Sequence, residues 1–235
     1  MATEPVLLIT GASSGIGEAT ARAAARAGYR LALGARREQP LRELAAQLGG
    51  EQRAMARACD VTEWEQVEAF AGAAIAELGS IDAVFANAGF GATRGFTEES
   101  PEHWRSMILT NVYGLALTIR ATLPHMLERG SGHFVLTSSV AGRRVLPGSL
   151  YSATKWAAGA IGEALRQEIR GMHENEAIRV TVIAPGMVDT PFFDQRPRSG
   201  ALAAEDVAEA VLYALRQPPH VDVNEIVLRP ASQAI

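Results

Sequence analysis

The sequence of 235 residues is poor in cysteine and lysine, and each shortage excludes something. Its one cysteine, Cys59, cannot form an internal disulfide, which fits a reducing compartment, and we expect the cytoplasm. The five histidines are scattered without metal-ligand spacing, so no metal site is expected. A formal net charge of −4 does not favour binding to nucleic acids or anionic membranes. The apolar run Val6–Ile9 is far too short for a secretion signal or a membrane span.

The only lysine, Lys155, stands among twenty-one arginines and lies four residues after Tyr151. On a helix, residues four apart share a face, with Cβ atoms about 5–6 Å apart. Lysine carries a compact point charge, unlike the planar guanidinium of arginine, and beside a phenol it is expected to lower the phenol pKa. At ~4 Å and an effective dielectric of ~20 this effect is at most ~4 kcal/mol, or about three pKa units. Tyr151 is therefore a candidate proton donor and acceptor, although the pair alone is only moderately specific.

Short β-branched runs alternate with alanine-rich amphipathic stretches, which predicts an α/β fold. Continuous apolar strands separated by helices indicate a Rossmann-type, doubly wound parallel sheet covered on both faces. Strands are predicted at residues 6–10, 30–34, 53–58, 83–87, 133–138, 179–184 and 225–228. Helices are predicted at residues 15–27, 41–48, 63–78, 103–129, 151–173 and 203–216.

No repeat, low-complexity tract or long linker divides the sequence, so one domain over residues 1–235 is expected. Pro124 is expected to kink the fourth helix without ending it. The irregular stretch 185–200 follows a strand and is predicted to be a loop at the edge where parallel sheets bind ligands.

A glycine-rich turn, Thr-Gly-Ala-Ser-Ser-Gly-Ile-Gly, joins the first predicted strand to the first helix. Its glycines allow a tight turn and the close approach of a pyrophosphate, while the helix N-terminus offers N–H groups and a positive dipole end. The residues expected to surround the phosphates are Gly11, Ser13, Ser14, Gly15, Ile16 and Gly17. Because the spacing is Gly-x-x-x-Gly-x-Gly rather than Gly-x-Gly-x-x-Gly, a turn that binds no nucleotide is the alternative.

The end of the second strand indicates which nicotinamide cofactor fits. An acidic residue there binds the ribose 2′-hydroxyl of NAD, whereas arginine accommodates the 2′-phosphate of NADP. Ala35 occupies the acidic position, and Arg36 and Arg37 follow it. NADP(H) is therefore expected in preference to NAD(H), and the alternative is a solvated arginine pair on a surface loop.

Six motifs in order resemble the short-chain dehydrogenase/reductase family, in its single-domain branch, over essentially the whole chain. They are the glycine turn, Asn87-Ala-Gly89, Asn111, Ser138-Ser139, Tyr151-x-x-x-Lys155 and Pro185-Gly-x-Val-x-Thr190. Each motif alone is weak, but six in order and in the right strand–helix context are very specific. The resemblance implies an NADP(H)-dependent enzyme that interconverts a small-molecule carbonyl and a secondary alcohol by hydride transfer.

The resemblance implies four catalytic residues. Tyr151 would protonate the substrate oxygen, and Lys155 would hydrogen-bond the nicotinamide ribose and favour the tyrosinate. Ser139 would hold the same oxygen, and Asn111 would carry a water in a relay towards Lys155. Ser138 is the alternative to Ser139, since only one of two adjacent residues at a strand end points into the site. The alternative for Asn111 is a stray asparagine inside a helix.

The resemblance also implies cofactor contacts after the third and fourth strands. Asn87, Ala88 and Gly89 would back the adenosine ribose. Asp60 and Val61 would line the adenine, although Asp60 could equally belong to the N-cap region of the next helix.

Further contacts are implied after the sixth strand, in the motif that begins at Pro185. Gly186 would allow the close approach of the cofactor, and Val188 would lie against the nicotinamide ring. Thr190 would hydrogen-bond the carboxamide or a phosphate. A short substrate lid is expected near residues 186–200.

Several side chains outside the motifs are candidates for contact with substrate. They are Phe90, Arg94, Arg143, Arg144, Phe192 and Phe193, the last two in the lid. The arginines would suit an anionic substrate, and solvated surface arginines are the alternative.

Other functions are compatible with parts of the pattern. The ending 222–230 resembles members that act on short hydroxy acids, so an NAD(H)-dependent hydroxy-acid or alcohol dehydrogenase is one alternative. A regulatory protein that senses NADP(H) is another, although a sensor does not need the proton relay. A sugar epimerase or dehydratase would need a larger C-terminal domain than the residues after Pro185 provide. By resemblance, the two long helices that end near Arg129 and His173 are expected to pair subunits into a homodimer or homotetramer.

Overall fold

The computed structural model describes residues 4–192 and 200–233. Within these ranges seven strands form one parallel sheet in the order β3-β2-β1-β4-β5-β6-β7. The strands are β1 (Val6–Thr10), β2 (Arg30–Ala35), β3 (Ala54–Ala58), β4 (Ala83–Ala86), β5 (Gly132–Thr137), β6 (Ile178–Pro185) and β7 (Glu225–Leu228). The predicted parallel α/β class is confirmed.

Helices connect the strands. They are α1 (Gly15–Arg26), α2 (Glu38–Gln47), α3 (Trp64–Leu78), α4 (Pro101–Ile108), α5 (Gly114–Arg129), α6 (Leu150–Gly171) and α7 (Ala204–Leu215). Helix α2 begins earlier than predicted because Pro40 lies in its first turn, where a missing N–H costs no hydrogen bond. Helix α5 continues past Pro124, as expected. None of the described helices is long and apolar enough to cross a membrane.

The predicted helix 103–129 is helical throughout, but its hydrogen-bond pattern is not α-helical over its whole length. A π-helical turn, Leu109–Tyr113, separates α4 from α5 and carries Asn111. A π-helical turn places more residues in one turn than an α-helix does, and such turns occur often at functional sites. The hydrophobic spacing of the sequence did not reveal this local widening.

Two apolar layers cover the two faces of the sheet. In β1, Leu8 packs in the layer that contains α3, α5 and α6, whereas Leu7 and Ile9 pack in the layer of α1, α2 and α7. All five residues of β1 are buried. This burial on both faces explains why the central strands are continuously apolar instead of alternating.

The strand order reverses at β1, which lies between β2 and β4. Thr10, the last residue of β1, pairs with Gly34 of β2 and Ala86 of β4, so these strands end at one edge of the sheet. In open parallel sheets ligands bind outside the carboxyl ends of the strands at such a reversal. The motifs that follow β1, β2, β4, β5 and β6 therefore meet at one edge.

Candidate active site

A cavity of about 1130 Å³ lies at this edge of the sheet. The glycine turn, Arg36 and Arg37 line one part of it, and Ser139, Tyr151 and Lys155 line another. Loops after six strands, β1 to β6, thus contribute to one continuous cavity, which is large enough for a dinucleotide together with a small organic molecule.

The glycine turn packs closely against the loop after β4. Gly11 has a φ of +69°, which favours glycine, and a Cβ atom there would lie 2.9 Å from Ala88 Cα. At Gly17 a Cβ atom would lie 2.2 Å from the Gly11 carbonyl oxygen. Ser14 caps α1 without a side-chain hydrogen bond, so the N–H groups of the first helical turn remain available to a ligand. This turn fits a pyrophosphate at the start of α1.

The end of β2 carries positive charge next to the glycine turn. Ala35 is buried, whereas Arg36 and Arg37 are exposed, and all three line the cavity. Arg37 Nη2 lies 3.2 Å from Ser13 Oγ and 3.2 Å from Ser14 Oγ. One guanidinium is therefore held over the turn that would receive phosphate groups.

Asp60 and Val61 line the cavity after β3. Asp60 Oδ1 accepts hydrogen bonds from the N–H of Thr62 at 3.0 Å and from its hydroxyl at 2.8 Å. The N-cap of α3 is Glu63, so Asp60 holds the turn that precedes the helix and does not cap it.

Asn87 joins the ends of three strands. Its Nδ2 lies 3.4 Å from the carbonyl oxygens of Thr10 and Gly11, and its Oδ1 accepts a hydrogen bond from Thr137 Oγ1 at 3.3 Å. The N–H groups of Asn87 and Ala88 donate to Thr10 Oγ1 at 3.1 and 3.3 Å. Thr10, the first residue of the glycine-turn motif, and Thr137, which the sequence did not single out, support this part of the cavity.

The two adjacent serines after β5 point in different directions. Ser138 is buried, and its hydroxyl donates to the Lys155 carbonyl oxygen at 2.8 Å. Ser139 hydrogen-bonds the Tyr151 side chain, accepts from the N–H of Ala141 at 3.1 Å and lies 3.3 Å from the Pro185 carbonyl oxygen. The structure thus brings Ser139, and not the hydroxyl of Ser138, to the phenol.

Tyr151 and Lys155 lie in the first turns of α6, which starts at the Ser149 N-cap. Lys155 is buried; its Nζ donates to the Thr137 carbonyl oxygen at 3.0 Å and lies 5.7 Å from the centroid of the Tyr151 ring. Phe192 packs edge-on against Tyr151 with the ring centroids 5.7 Å apart. Helical spacing therefore places the cation and the phenol at the same end of the cavity.

The pKa values of this pair move in directions set by burial. Burial raises the pKa of Tyr151 to about 12, and the hydrogen bond with Ser139 opposes this shift. Burial also lowers the pKa of Lys155 to about 8. Against the expectation of a lowered value, the net pKa of Tyr151 is raised, because desolvation of the phenolate is the largest effect. At neutral pH Tyr151 is a phenol, which is the form that donates a proton.

Asn111 is buried in the π-helical turn, and both the nitrogen and the oxygen of its amide form hydrogen bonds. Its Nδ2 donates to the Phe90 carbonyl oxygen at 2.9 Å and to Thr154 Oγ1 at 3.0 Å, and its Oδ1 accepts from the N–H of Phe90 at 3.0 Å. A Cβ atom at Gly89 would lie 2.9 Å from Asn111 Oδ1 and 3.5 Å from Lys155 Nζ. Gly89 therefore leaves a small space that both polar atoms face.

The loop after β6 closes another side of the cavity. Thr190 is buried against Gly15, where a Cβ atom would lie 3.2 Å from Thr190 Cβ, and Val188 is buried with it. Gly186 donates its N–H to the Leu228 carbonyl oxygen at 2.7 Å. Pro185, Gly186, Val188 and Thr190 all line the cavity. The predicted lid includes Phe193 and the residues up to 199, which lie outside the described residues.

Gln233 also lines the cavity and is a site residue that the sequence did not reveal. Its Oε1 accepts a hydrogen bond from the N–H of Met187 at 2.9 Å. The residue is distant from every motif in sequence, and only the fold brings it to the loop after β6.

The substrate-contact candidates separate into two groups. Phe90, Arg94, Arg144 and Phe192 line the cavity, whereas Arg143 does not appear in its described lining. Arg143 forms an ion pair with Glu225 and donates to the Gly142 carbonyl oxygen at 2.7 Å.

Comparisons with known proteins agree on the family of this chain. The sequence model of the short chain dehydrogenases matches residues 5–199. An uncharacterized oxidoreductase of Staphylococcus epidermidis is 39% identical over 233 residues, with 97% of each chain covered.

Two solved structures have the same fold over nearly the whole chain. An alcohol dehydrogenase from the archaeon Thermococcus sibiricus, complexed with 5-hydroxy-NADP, is 38% identical, with a TM-score of 0.87 and 98% of each chain covered. A serine dehydrogenase in its closed form, complexed with NADP+, is 32% identical, with a TM-score of 0.91 and coverage of 98% of this chain and 96% of that one.

Proposed function

The chain belongs to the short-chain dehydrogenase family, and on that premise we propose that this oxidoreductase interconverts a carbonyl compound and a secondary alcohol with NADP(H). The observation that carries the proposal is the arrangement of Ser139, Tyr151 and Lys155 at one end of a cavity whose other parts fit a dinucleotide. A protein that only senses the cofactor would need the dinucleotide part alone.

The residues along the cavity suit NADP(H), which supplies a hydride to the substrate when bound. The N–H groups at the start of α1 would hold the pyrophosphate, with Ser13, Ser14 and Ile16 beside it. Arg36 and Arg37 would bind the 2′-phosphate, because no carboxylate stands at the end of β2 to favour the 2′-hydroxyl.

The rest of the cavity would receive the adenosine and nicotinamide parts of the cofactor. Asn87, Ala88 and Gly89 would lie behind the adenosine ribose, with Asp60 and Val61 at the adenine. Pro185, Gly186, Val188 and Thr190 would contact the nicotinamide. The NADP-type ligands of the Thermococcus alcohol dehydrogenase and the serine dehydrogenase support the same cofactor here.

Tyr151 would act as general acid during reduction. As the carbonyl carbon accepts a hydride, the C=O π electrons move onto oxygen, and Tyr151 transfers its phenolic proton to that oxygen. The balanced reaction is R₂C=O + NADPH + H⁺ → R₂CHOH + NADP⁺. Ser139 would donate a hydrogen bond to the same oxygen and hold it in line with the phenol. In the oxidative direction the tyrosinate would remove the hydroxyl proton.

Lys155 and Asn111 would return a proton to Tyr151 after each turnover. The Lys155 ammonium would stabilise the tyrosinate and hydrogen-bond the nicotinamide ribose. Asn111 Oδ1 has a second lone pair beyond its bond with Phe90, and it faces the same space beside Gly89 as Lys155 Nζ. A water held there would connect the two side chains.

The proposed assembly is a homodimer or homotetramer that pairs through α5 and α6. Tyr113, next to α5, and Trp156, on α6, are 48% and 47% exposed. Large aromatic side chains on the surface are typical of subunit interfaces.

The variant Tyr151→Phe tests the proposed chemistry. It should bind NADPH like the wild type, because it keeps the ring, while turnover of ketones falls by at least about a hundredfold through loss of the general acid. Carbonyl-dependent NADPH oxidation and the dissociation constant for NADPH are the two measurements. Tyr213→Phe, at an exposed tyrosine outside the cavity, is the matched control and should leave both unchanged. Retained turnover in Tyr151→Phe would remove this residue from proton transfer.

A further inference from the structure

We infer that the substrate carries a carboxylate, which binds at the rim formed by Arg94 and Arg144. This inference rests on the proposed function and names the class of substrate: an oxo acid in reduction and a hydroxy acid in oxidation. The reaction is then oxo acid + NADPH + H⁺ → hydroxy acid + NADP⁺, with the carboxylate unchanged.

Arg94 and Arg144 come from different loops but line the same cavity. Arg94 follows β4 and Arg144 follows β5. Both side chains are exposed, and neither forms an ion pair with another described residue. The net charge of the protein is −4, yet these two guanidinium groups at the cavity have no ion-pair partner among the described residues. They are therefore available to an anionic ligand.

The two loops are connected, which limits how far the arginines can separate. The N–H of Gly95 donates to the Gly148 carbonyl oxygen at 2.9 Å, beside Arg94. The N–H of Leu146 donates to Ser152 Oγ at 3.1 Å, which joins the second loop to α6. These bonds hold the rim against the helix that carries Tyr151.

Within the part of the chain that the structure describes, no carboxylate forms an ion pair with either arginine of this rim. Asp60 is the one acidic residue in the described lining, and it lies after β3 in the part proposed for adenine. Glu99 lies near Arg94 in sequence, but its carboxylate accepts from the N–H groups of Thr93 at 3.1 Å and Ser100 at 2.9 Å. Arg143 differs from the adjacent Arg144, because Arg143 forms an ion pair with Glu225.

Aromatic side chains lie in the same part of the lining as the proton donor. Phe192 packs on Tyr151, and a Cβ atom at Gly91 would lie 3.0 Å from Phe192 Cζ, so Phe192 also contacts the loop that contains Phe90. An organic acid could place its carbonyl at Tyr151, its carbon chain along Phe90 and Phe192, and its carboxylate at the rim.

Matched acids and amides test the inference, because a carboxamide has nearly the shape of a carboxylate without its charge. NADPH-dependent kcat/KM is measured for 2-oxobutanoate, acetoacetate and 4-oxopentanoate, each paired with its amide. We expect the wild type to prefer the acid in the best pair, and this preference to fall about fivefold in R94Q or R144Q and further in the double variant. Arg105→Gln, which removes an exposed arginine of α4 outside the cavity lining, should leave the preference unchanged.

A binding measurement covers the case in which none of these acids turns over quickly. With NADPH bound, a hydroxy acid cannot react, so the dissociation constants of 3-hydroxybutanoate and 3-hydroxybutanamide can be compared by calorimetry. The acid should bind more tightly, and R94Q and R144Q should remove that advantage.

The outcomes separate this inference from the proposed function. If neutral ketones turn over through Tyr151 while acids and amides react and bind equally, the carboxylate inference is wrong and the dehydrogenase function stands. An acid preference that survives in the R94Q/R144Q double variant likewise overturns the inference. If no carbonyl compound consumes NADPH and no alcohol reduces NADP+, the proposed function itself fails.

Discussion

Tyr151 and Lys155 show that burial can oppose a nearby opposite charge. Lys155 is buried and Tyr151 is partly buried, so the neutral form of each is favoured, and the pKa of Tyr151 rises while the pKa of Lys155 falls. Lys155 is then the group of the pair that titrates near physiological pH.

The rate of reduction should therefore depend on pH through Lys155. As pH rises through about 8 the ammonium is lost, and kcat/KM should fall, whereas Tyr151 keeps its proton up to about 12. The profile is measured from pH 6 to pH 10. Lys155→Arg keeps a permanent charge, so it should lower the rate but remove the decline near pH 8. A wild-type profile that is flat between pH 7 and pH 9 would contradict this assignment.

A second prediction about single residues concerns Arg36 and Arg37 and the selectivity for NADPH over NADH. Arg36→Asp places a carboxylate where the 2′-phosphate is proposed to bind, so the ratio of kcat/KM for NADPH to that for NADH should fall by at least about tenfold. Arg42→Asp, at an exposed arginine of α2, controls for the change in net charge. Unchanged selectivity in Arg36→Asp would show that the phosphate binds elsewhere.

Among the elements, the strands were the most predictable and the π-helical turn the least. A buried parallel strand has a short apolar run between turns, so its position is visible in the sequence. The widened turn Leu109–Tyr113 depends on hydrogen bonds from Asn111 to Phe90 and Thr154, which are distant in sequence. The spacing of apolar residues along the chain does not reveal contacts between residues that are distant in sequence.

The strand pair β5 and β6 contains a buried histidine that should make stability sensitive to acid. His133 Nε2 lies 2.8 Å from Thr181 Oγ1, and burial followed by repulsion from Arg179 lowers the pKa of His133 to about 3. Between pH 6.5 and pH 3 the unfolded chain binds this proton and the folded chain does not. The free energy of unfolding should therefore fall with decreasing pH, by up to about 1.4 kcal/mol per unit.

Urea unfolding between pH 7 and pH 4 measures this contribution. His133→Gln keeps a polar partner for Thr181. It should lower the number of protons taken up on unfolding by about one, so the free energy of unfolding should depend less on pH. His220→Gln, at an exposed histidine, should leave it unchanged. Equal pH dependences in wild type and His133→Gln would exclude His133 as the cause.

For the whole molecule, the proposed assembly makes the clearest prediction. Sedimentation velocity should give a mass two or four times the 25.0 kDa of one chain. Trp156→Glu puts a charge on the proposed α6 interface and should shift the protein towards the monomer. Tyr213→Glu, on α7, is the matched control and should not. A wild-type protein that sediments as a monomer would refute the assembly.

Sequence alone was sufficient for the fold class, the strand positions and the motifs of the site, because these depend on local patterns. Apolar periodicity marks buried elements, and glycine spacing or a tyrosine–lysine pair on one helix is readable along the chain. Other features arose from contacts between distant segments. Ser139 rather than Ser138 meets Tyr151, Gln233 supports the loop after β6, and burial rather than charge sets the pKa of Tyr151. Direction, solvent exposure and long-range contact are properties of the packed chain, so they could be determined only after folding brought these residues together.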